Sequence, residues 1–425
     1  MSKTLTKTKT RQVLTALNIA ALTFFAYTCV YAFRKPFTVA TFSGEQLFGI
    51  SYQTVLIICQ VIGYMLSKFA GIRFISSLKR TGRWITATIL VSVAWLALLL
   101  FALLPPWAGM ICFFVNGFML GFMWGVVFSY AEGRRSTDFI GSVLAVSFIF
   151  AGGFTRSVGK WMMLEFGVTE KWMPFMTGLV FVVPLIVLFY FLERSPTPDE
   201  KDIDERSERI AMTGDDRKEI IRDFGAGLII LAVIYTMLTV MRDIRDNYMG
   251  NMWNELGYAG DASVFTKSET KITLIILLMM GLMVLIRRNI IAFRVVHYVI
   301  IGGFLLAGIT SLLFIYKGLH GGIWMQSVGL GLYMAYIPFN AIFFERMIAA
   351  FRIKGNVGFL IYITDAFGYL GSVTVMLFKE SMKVDVKWSV FYSYAVIILS
   401  VIGVMGTIYA LFYFNRKYKL KIQVQ

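Results

Sequence analysis

Apolar runs of roughly 20 residues recur along the whole chain, separated by short polar stretches. That is the length an α-helix needs to cross about 30 Å of hydrocarbon. The runs lie near 13–42, 51–74, 84–104, 108–131, 139–164 and 172–193. A densely charged stretch follows, RSPTPDEKDIDERSERIAMTGDDRKEIIRD, and then further runs near 224–249, 262–286, 291–316, 322–345, 355–378 and 387–414. They are too long, and alternate too little, for the strands of a barrel. The pattern predicts an all-α membrane protein of twelve transmembrane helices. An N-terminal six-helix bundle occupies 1–193, a cytoplasmic linker 194–223 and a C-terminal six-helix bundle 224–425. The eighth run is the least clean, because Lys267, Glu269 and Lys271 dilute its start.

Composition agrees with this division. Of 425 residues, 58% are hydrophobic and only 16% charged, with mean hydropathy +0.70. No soluble domain of this size carries so much apolar surface. A net charge of +16 would point to nucleic acid in a soluble chain, but here the positive-inside rule accounts for it. Lys79, Arg80 and Arg83, then Arg134 and Arg135, then Arg287, Arg288 and Arg294, and finally Arg416 and Lys417, fall on one side of the predicted topology. That bias places both termini and the linker in the cytoplasm, in a multi-pass protein of the inner (cytoplasmic) membrane. The basic start MSKTLTKTKTR resembles the head of a signal peptide, but the apolar run behind it continues to Phe42 and reads as a retained first span.

Chemistry of the enzymatic kind is not expected. Cys29, Cys59 and Cys112 lie in apolar runs and have neither disulfide nor metal-ligand spacing. His297 and His320 are far apart and read as interfacial side chains. No clustered nucleophile, base or metal set is present, so no catalytic residue, metal or cofactor is assigned. The expected partners are the lipid bilayer and a small anionic solute, not nucleic acid, and the expected state is a monomer.

An internal repeat points to the site. YTCVYAFR, Tyr27 to Arg34, recurs as YTMLTVMR, Tyr235 to Arg242. Seven residues are nearly two helical turns, so each tyrosine shares a face with its arginine. Tyr27, Tyr31, Arg34 and Thr38 fall on one polar-aromatic stripe if the first helix runs through to Phe42. Glu132 and Glu345, followed by Gly141 and Gly355, are a second matched pair in the same order. Two six-helix halves related in this way are the architecture of the major facilitator superfamily. Arg34 and Arg242 are the first candidates for binding an anion, with Tyr27, Tyr31 and Tyr235 beside them. Against this, Arg34 can snorkel outward with Lys35, and Arg242 can pair with a carboxylate of the cluster RDIRDN, Asp246 being four residues on. Asp365 reads as the only carboxylate inside an apolar span, and with Arg156 it is a candidate coupling group or cavity ion pair. Asn116 and Asn340 read as bonds between helices or, second, as solute ligands. The small-residue rows Gly117, Gly121, Gly125 and Gly368, Ser372 read as packing surfaces.

One stretch resembles a particular branch of that superfamily. YTCVYAFRKPFTVA is similar to the first span of the organophosphate:phosphate antiporters, through Arg34, Lys35, Phe37 and Ala40. Ser67-Lys68-Phe69 in the second span, and Tyr235 to Arg242 followed by Trp253, are similar too. The resemblance implies that Arg34 and Arg242 bind the substrate's phosphate at the axis relating the two halves. There are departures. Gly82 and Arg83 fit the superfamily's loop between spans two and three, but Lys79 stands where its aspartate belongs. The histidine of the branch's fifth span has no counterpart in FIFAGGFTRS, where Arg156 lies a little further on.

These readings converge on a secondary transporter that moves a small organic anion, phosphorylated or carboxylated, by alternating access. Two facing positive charges repel, and an anion between them removes that repulsion, which is the logic of obligatory exchange. The alternatives are a proton-coupled transporter of an unphosphorylated solute and a transporter-like receptor that signals to a partner.

Overall fold

The computed structural model describes residues 2–76, 82–132, 134, 136–197, 214–351, 357–381 and 386–424. Side chains at 2–11, 72–76, 138, 214–221, 284, 340, 357–366 and 421–424 lie outside that description. The chain divides into two compact units: Met1–Ser207 with Gly260–Thr273, and Glu208–Ala259 with Leu274–Gln425.

In the first unit α1 (Ser2–Tyr31) leads through a 3-10 turn at Pro36–Val39 to a two-stranded hairpin. Then follow α2 (Tyr52–Ser76), α3 (Arg83–Leu103), α4 (Pro106–Gly121), α5 (Met123–Phe128), α6 (Thr137–Glu165) and α7 (Met173–Glu193). The second unit holds α8 (Gly214–Glu255), α10 (Asn289–Lys317), α11 (Gly321–Pro338), α12 (Phe344–Phe351), α13 (Val357–Ser381) and α14 (Trp388–Val424). Helix α9 (Val264–Val284) begins in the first unit and ends in the second. Helices α4 and α5 are one broken helix, as are α11 and α12, so the described residues form twelve long helical segments.

Ten of these are long and apolar enough to cross a membrane. Helix α9 misses because of Lys267, Glu269 and Lys271, the residues that dilute it in the sequence. Helix α13 has described side chains only from Phe367.

Two helix breaks fall where the backbone loses a donor. Helix α1 ends at Tyr31, not near Phe42 as the apolar run suggests. Pro36 has no N–H to give the carbonyl of Ala32, so the helical ladder cannot pass. Pro338 does the same in α11, and the next five residues, Phe339–Phe343, take a π turn. In the long α8 the kink is at Tyr248 (φ −113°, ψ 17°), whose ring stacks on Trp388 with centroids 3.5 Å apart.

The hairpin was not expected from the apolar pattern. It pairs Gln46–Leu47 with Ile50–Ser51, and its two turn residues, Phe48 and Gly49, both have positive φ, as a tight hairpin turn requires.

Small residues set the helix spacing. A Cβ at Gly117 would run into the Gln60 carbonyl, one at Gly121 into Ser67, and one at Gly63 would sit 2.9 Å from the Phe118 amide. Helices α2 and α4 therefore touch backbone to backbone, as the Gly117–Gly121 row implies. On α13, a Cβ at Gly368 would lie 2.5 Å from Thr239 of α8, and Ser372 is fully buried on the same face.

Each unit also uses one glutamate to hold two consecutive amides. The Glu170 carboxylate accepts from Thr41 N and Phe42 N, both at 2.9 Å. Glu255 accepts from Trp388 N and Ser389 N, both at 2.8 Å, and so caps α14. Before α9, the Asp261 carboxylate accepts from Ser263 N at 2.8 Å and Ser263 Oγ at 2.6 Å. The Ser263 hydroxyl, first among the causes, holds this carboxyl below its ordinary value of 3.8.

Candidate functional site

In the first unit the site is built on the end of α1. Between Tyr31 and Pro36 the chain turns, with Arg34 N and Lys35 N both donating to Tyr31 O at 3.0 and 2.9 Å. The turn leaves the carbonyls of Phe33 and Arg34 without helical partners inside an apolar bundle, where each needs a donor. Two side chains supply them. Asn116 Nδ2 donates to Phe33 O at 2.9 Å and to Ala94 O at 3.1 Å. Gln60 Nε2 donates to Arg34 O at 3.2 Å and to Asn116 Oδ1 at 2.9 Å. Asn116 is fully buried and spends its amide on this clamp, so it is a positioning group and not a solute ligand. Asn340, its candidate companion, lies outside the described side chains.

The clamp fixes where Arg34 goes. Its Cζ lies 3.7 Å from the centre of the Tyr64 ring, a cation–π contact, with Lys68 Nζ 5.3 Å from the same ring. The predicted stripe is interrupted: Tyr27 and Tyr31 are on α1, with rings 5.2 Å apart, whereas Arg34 and Thr38 lie beyond the helix end. Both tyrosines are buried, Tyr27 also packing edge-on against Trp124 at 5.2 Å.

Arg156 does not snorkel. It is 1% exposed on α6 and donates from Nε to Thr38 Oγ1 at 2.9 Å, while that hydroxyl donates to Lys35 O at 2.8 Å. It braces the 3-10 turn that follows Arg34. Arg83, of the superfamily-like loop, donates to Ser129 O at 2.9 Å; Lys79 of that loop is outside the described residues.

In the second unit the site is on α8. Arg242 Nη1 donates to Tyr336 Oη at 2.5 Å, and its Cζ is 4.5 Å from that ring's centre. Tyr235 stacks on Tyr336 at 5.4 Å and donates to its hydroxyl at 3.3 Å. Arg242 pairs with the carboxylate of its neighbour Asp243, at 2.7 Å. Adjacent residues do not share a helix face, but the long arginine folds back to reach the aspartate. Asp243 Oδ2 also accepts from Ser372 Oγ at 3.1 Å. Asp246 accepts from Tyr333 Oη at 3.1 Å, and Arg245 donates to Met325 O at 3.3 Å.

Other positions differ from expectation. Asp365, and with it the expected pairing with Arg156, lies outside the described side chains. It is not the only carboxylate within the helices: Glu269 is 1% exposed and packs against Gly153 of α6, and Asp243 and Asp246 are buried as well. His297 is not interfacial. It is fully buried, with Nδ1 2.8 Å from Phe293 O and its ring among Phe293, Phe343 and Phe414. His320 is exposed at the start of α11, where its Nδ1 accepts from Gly322 N at 3.3 Å. A cavity of about 590 Å³ among α1, α6 and α7 is lined by apolar groups such as Phe25, Phe154 and Phe181, and neither arginine borders it.

Comparison with solved structures places this arrangement in a class. The chain has the fold of major facilitator transporters. It is similar to the nucleoside transporter NupG, with TM-score 0.60 and 14% identity over 95% of this chain and 99% of that one. A point mutant of NupG gives TM-score 0.60 at 15% identity, covering 93% and 98%. A bacterial homologue of the human lysosomal transporter Spinster, inward-facing and unoccupied, gives TM-score 0.57 at 11% identity, covering 95% and 97%. By sequence, residues 36–417 match the family of unknown function DUF5690, and the chain belongs to that family. No curated protein matches it.

Proposed function

We propose that the protein is a secondary active transporter that carries a small organic anion, phosphorylated or carboxylated, across the cytoplasmic membrane by alternating access. In this reading twelve spans form two six-helix bundles, both termini are cytoplasmic, and the monomer is the working unit. The solute is drawn by Arg34 and Arg242.

One observation carries the reading. The arginine that closes each copy of the repeat lies over a tyrosine ring of its own unit, Tyr64 at 3.7 Å and Tyr336 at 4.5 Å. Keeping a guanidinium among apolar spans costs about 2.5–3.5 kcal/mol on insertion scales, a cost difficult to account for twice without a use. A guanidinium held flat on a ring bonds through its edge, and that edge matches a phosphate or carboxylate in a two-pronged fashion. The similarity in fold to nucleoside and Spinster-type transporters supports solute movement over reception.

A second reading, a proton-coupled carrier of an unphosphorylated solute, draws on one feature: Asp243 already occupies Arg242. Counterflow in proteoliposomes separates the readings. Sugar phosphates, phosphonates and small carboxylates are expected to exchange, and nucleosides are not. Arg34→Lys and Arg242→Lys are expected to insert normally and lose exchange, because lysine cannot offer the planar fork. Full uptake by both variants removes the anion reading, and binding of solute without counterflow makes the protein a receptor.

A further inference from the structure

We propose that Asp243 is a built-in counter-ion that releases Arg242 to the solute only on taking up a proton, so that each anion bound brings one proton with it. This inference rests on the anion reading above and adds to it the coupling ion.

Asp243 Oδ1 holds Arg242 Nη2 at 2.7 Å, with both side chains mostly buried at 12% and 8% exposure. A solute carboxylate or phosphoryl group needs the same guanidinium edge. Two anions sharing one buried guanidinium repel strongly where the dielectric is low, and protonating one of them relieves the repulsion. A carboxylate solute cannot take the proton and still bind as an anion, so for such a solute Asp243 takes it.

Ser372 is placed to serve both states of that carboxyl. Its Oγ is 3.1 Å from Asp243 Oδ2 and 3.0 Å from Gly368 O. A hydroxyl has one hydrogen to donate and lone pairs to accept. With Asp243 ionised, the serine donates to it. With Asp243 protonated, the new O–H donates to Ser372 Oγ, and the serine turns its own hydrogen to Gly368 O. Oδ2 therefore keeps a bond to Ser372 in both states, and the one bond Asp243 gives up is that from Arg242 to Oδ1, which passes to the solute. The proton comes from bulk water on the side to which the site is open, and returns to water when the anion leaves.

Among the described residues, the other ionisable groups near Asp243 have partners of their own. On α8 itself Asp246 has its own donor in Tyr333, and Arg242 and Arg245 stay charged at all relevant pH. Among the described side chains, the elements packed against α8 offer the phenols Tyr333 and Tyr336 on α11, Tyr369 on α13 and Tyr392 on α14, and the charged pair Lys379 and Glu380 at the end of α13, where Lys379 lies over the Trp388 ring.

The test uses purified full-length protein with sulfate and with lactate, neither of which titrates between about pH 6 and 8. Affinity in the wild type is expected to weaken about tenfold per pH unit where Asp243 is ionised, the slope for one linked proton. Asp243→Asn is expected to bind the same anion with no pH slope. Infrared difference spectra provide a readout without a variant: adding the anion to the wild type should raise a protonated-carboxyl band. Binding with a flat pH profile and no new band in the wild type overturns the proposal, as does an unchanged slope in Asp243→Asn. If the wild type binds neither sulfate nor lactate at any pH, the anion reading itself has failed and this proposal with it.

Discussion

Replacing Asn116 by leucine tests the claim that a buried amide clamp positions Arg34. Leucine keeps nearly the same volume and removes every polar atom. Three hydrogen bonds go: those from Nδ2 to Phe33 O and Ala94 O, and that from Gln60 Nε2 to Oδ1. Hydrogen bonds between membrane helices are worth about 0.6 kcal/mol each on average and about 1.7 at most, so the loss should be about 2–5 kcal/mol. The upper part of that range applies if the two carbonyls find no new donors, since Asn116 is fully buried. Denaturant titration in mild detergent should show the midpoint falling. Cys112→Ala, one turn earlier on α4, removes buried volume but no such bond and sets the scale for packing alone. Because Phe33 and Arg34 are adjacent, solute affinity should fall further than stability explains. An Asn116→Leu protein that unfolds with the wild type, or that keeps wild-type affinity, would refute the clamp.

Gly117→Ala places a Cβ onto the Gln60 carbonyl, and neither backbone can yield without parting α2 from α4; a loss of about 1–3 kcal/mol is expected in the same titration. Glu255→Ala leaves two amides at the start of α14 without their carboxylate, and about 1–3 kcal/mol of stability should go with them; faster amide exchange at Trp388 and Ser389 is the local readout. The Asp261 carboxyl is held below its ordinary value of 3.8 by Ser263, so its contribution is complete above that value and is lost as pH falls through the folded one. Asp261→Asn should therefore lower the melting temperature by the same amount at pH 6 and pH 8, and the two proteins should converge in acid.

Much of the architecture was readable in advance, because apolar length is set by the membrane and not by tertiary detail. The runs at 84–104 and 172–193 fall within a residue of α3 and α7. The first run was less informative, since apolar character continues past the point where the helix stops. Pro36 was the signal there, and a backbone argument from its missing N–H would have ended the helix before it. The repeat identified two arginines but not what holds them. Tyr64 and Tyr336 are two of 20 tyrosines, distant in sequence, and only packing brings them under the guanidinia. The same limit applies to Glu269, which dilutes the eighth apolar run in the sequence and is buried against Gly153 of α6. Spacing along the helix pointed to Asp246 beside Arg242, and it could not show that the arginine also folds back to Asp243 or that Tyr333 engages Asp246.

The π turn at Phe339–Phe343 holds one residue more than a regular helix would place between the same two ends. That surplus changes what a deletion does. Elsewhere in a spanning helix, losing a residue rotates everything beyond it by about 100° and carries its buried face toward lipid. Here the loss would relax the bulge into an ordinary turn, and Phe344, Met347 and Phe351 beyond it would keep their inward orientation. Deletion, among the mutations a membrane helix tolerates least, therefore has a permissive address at this turn.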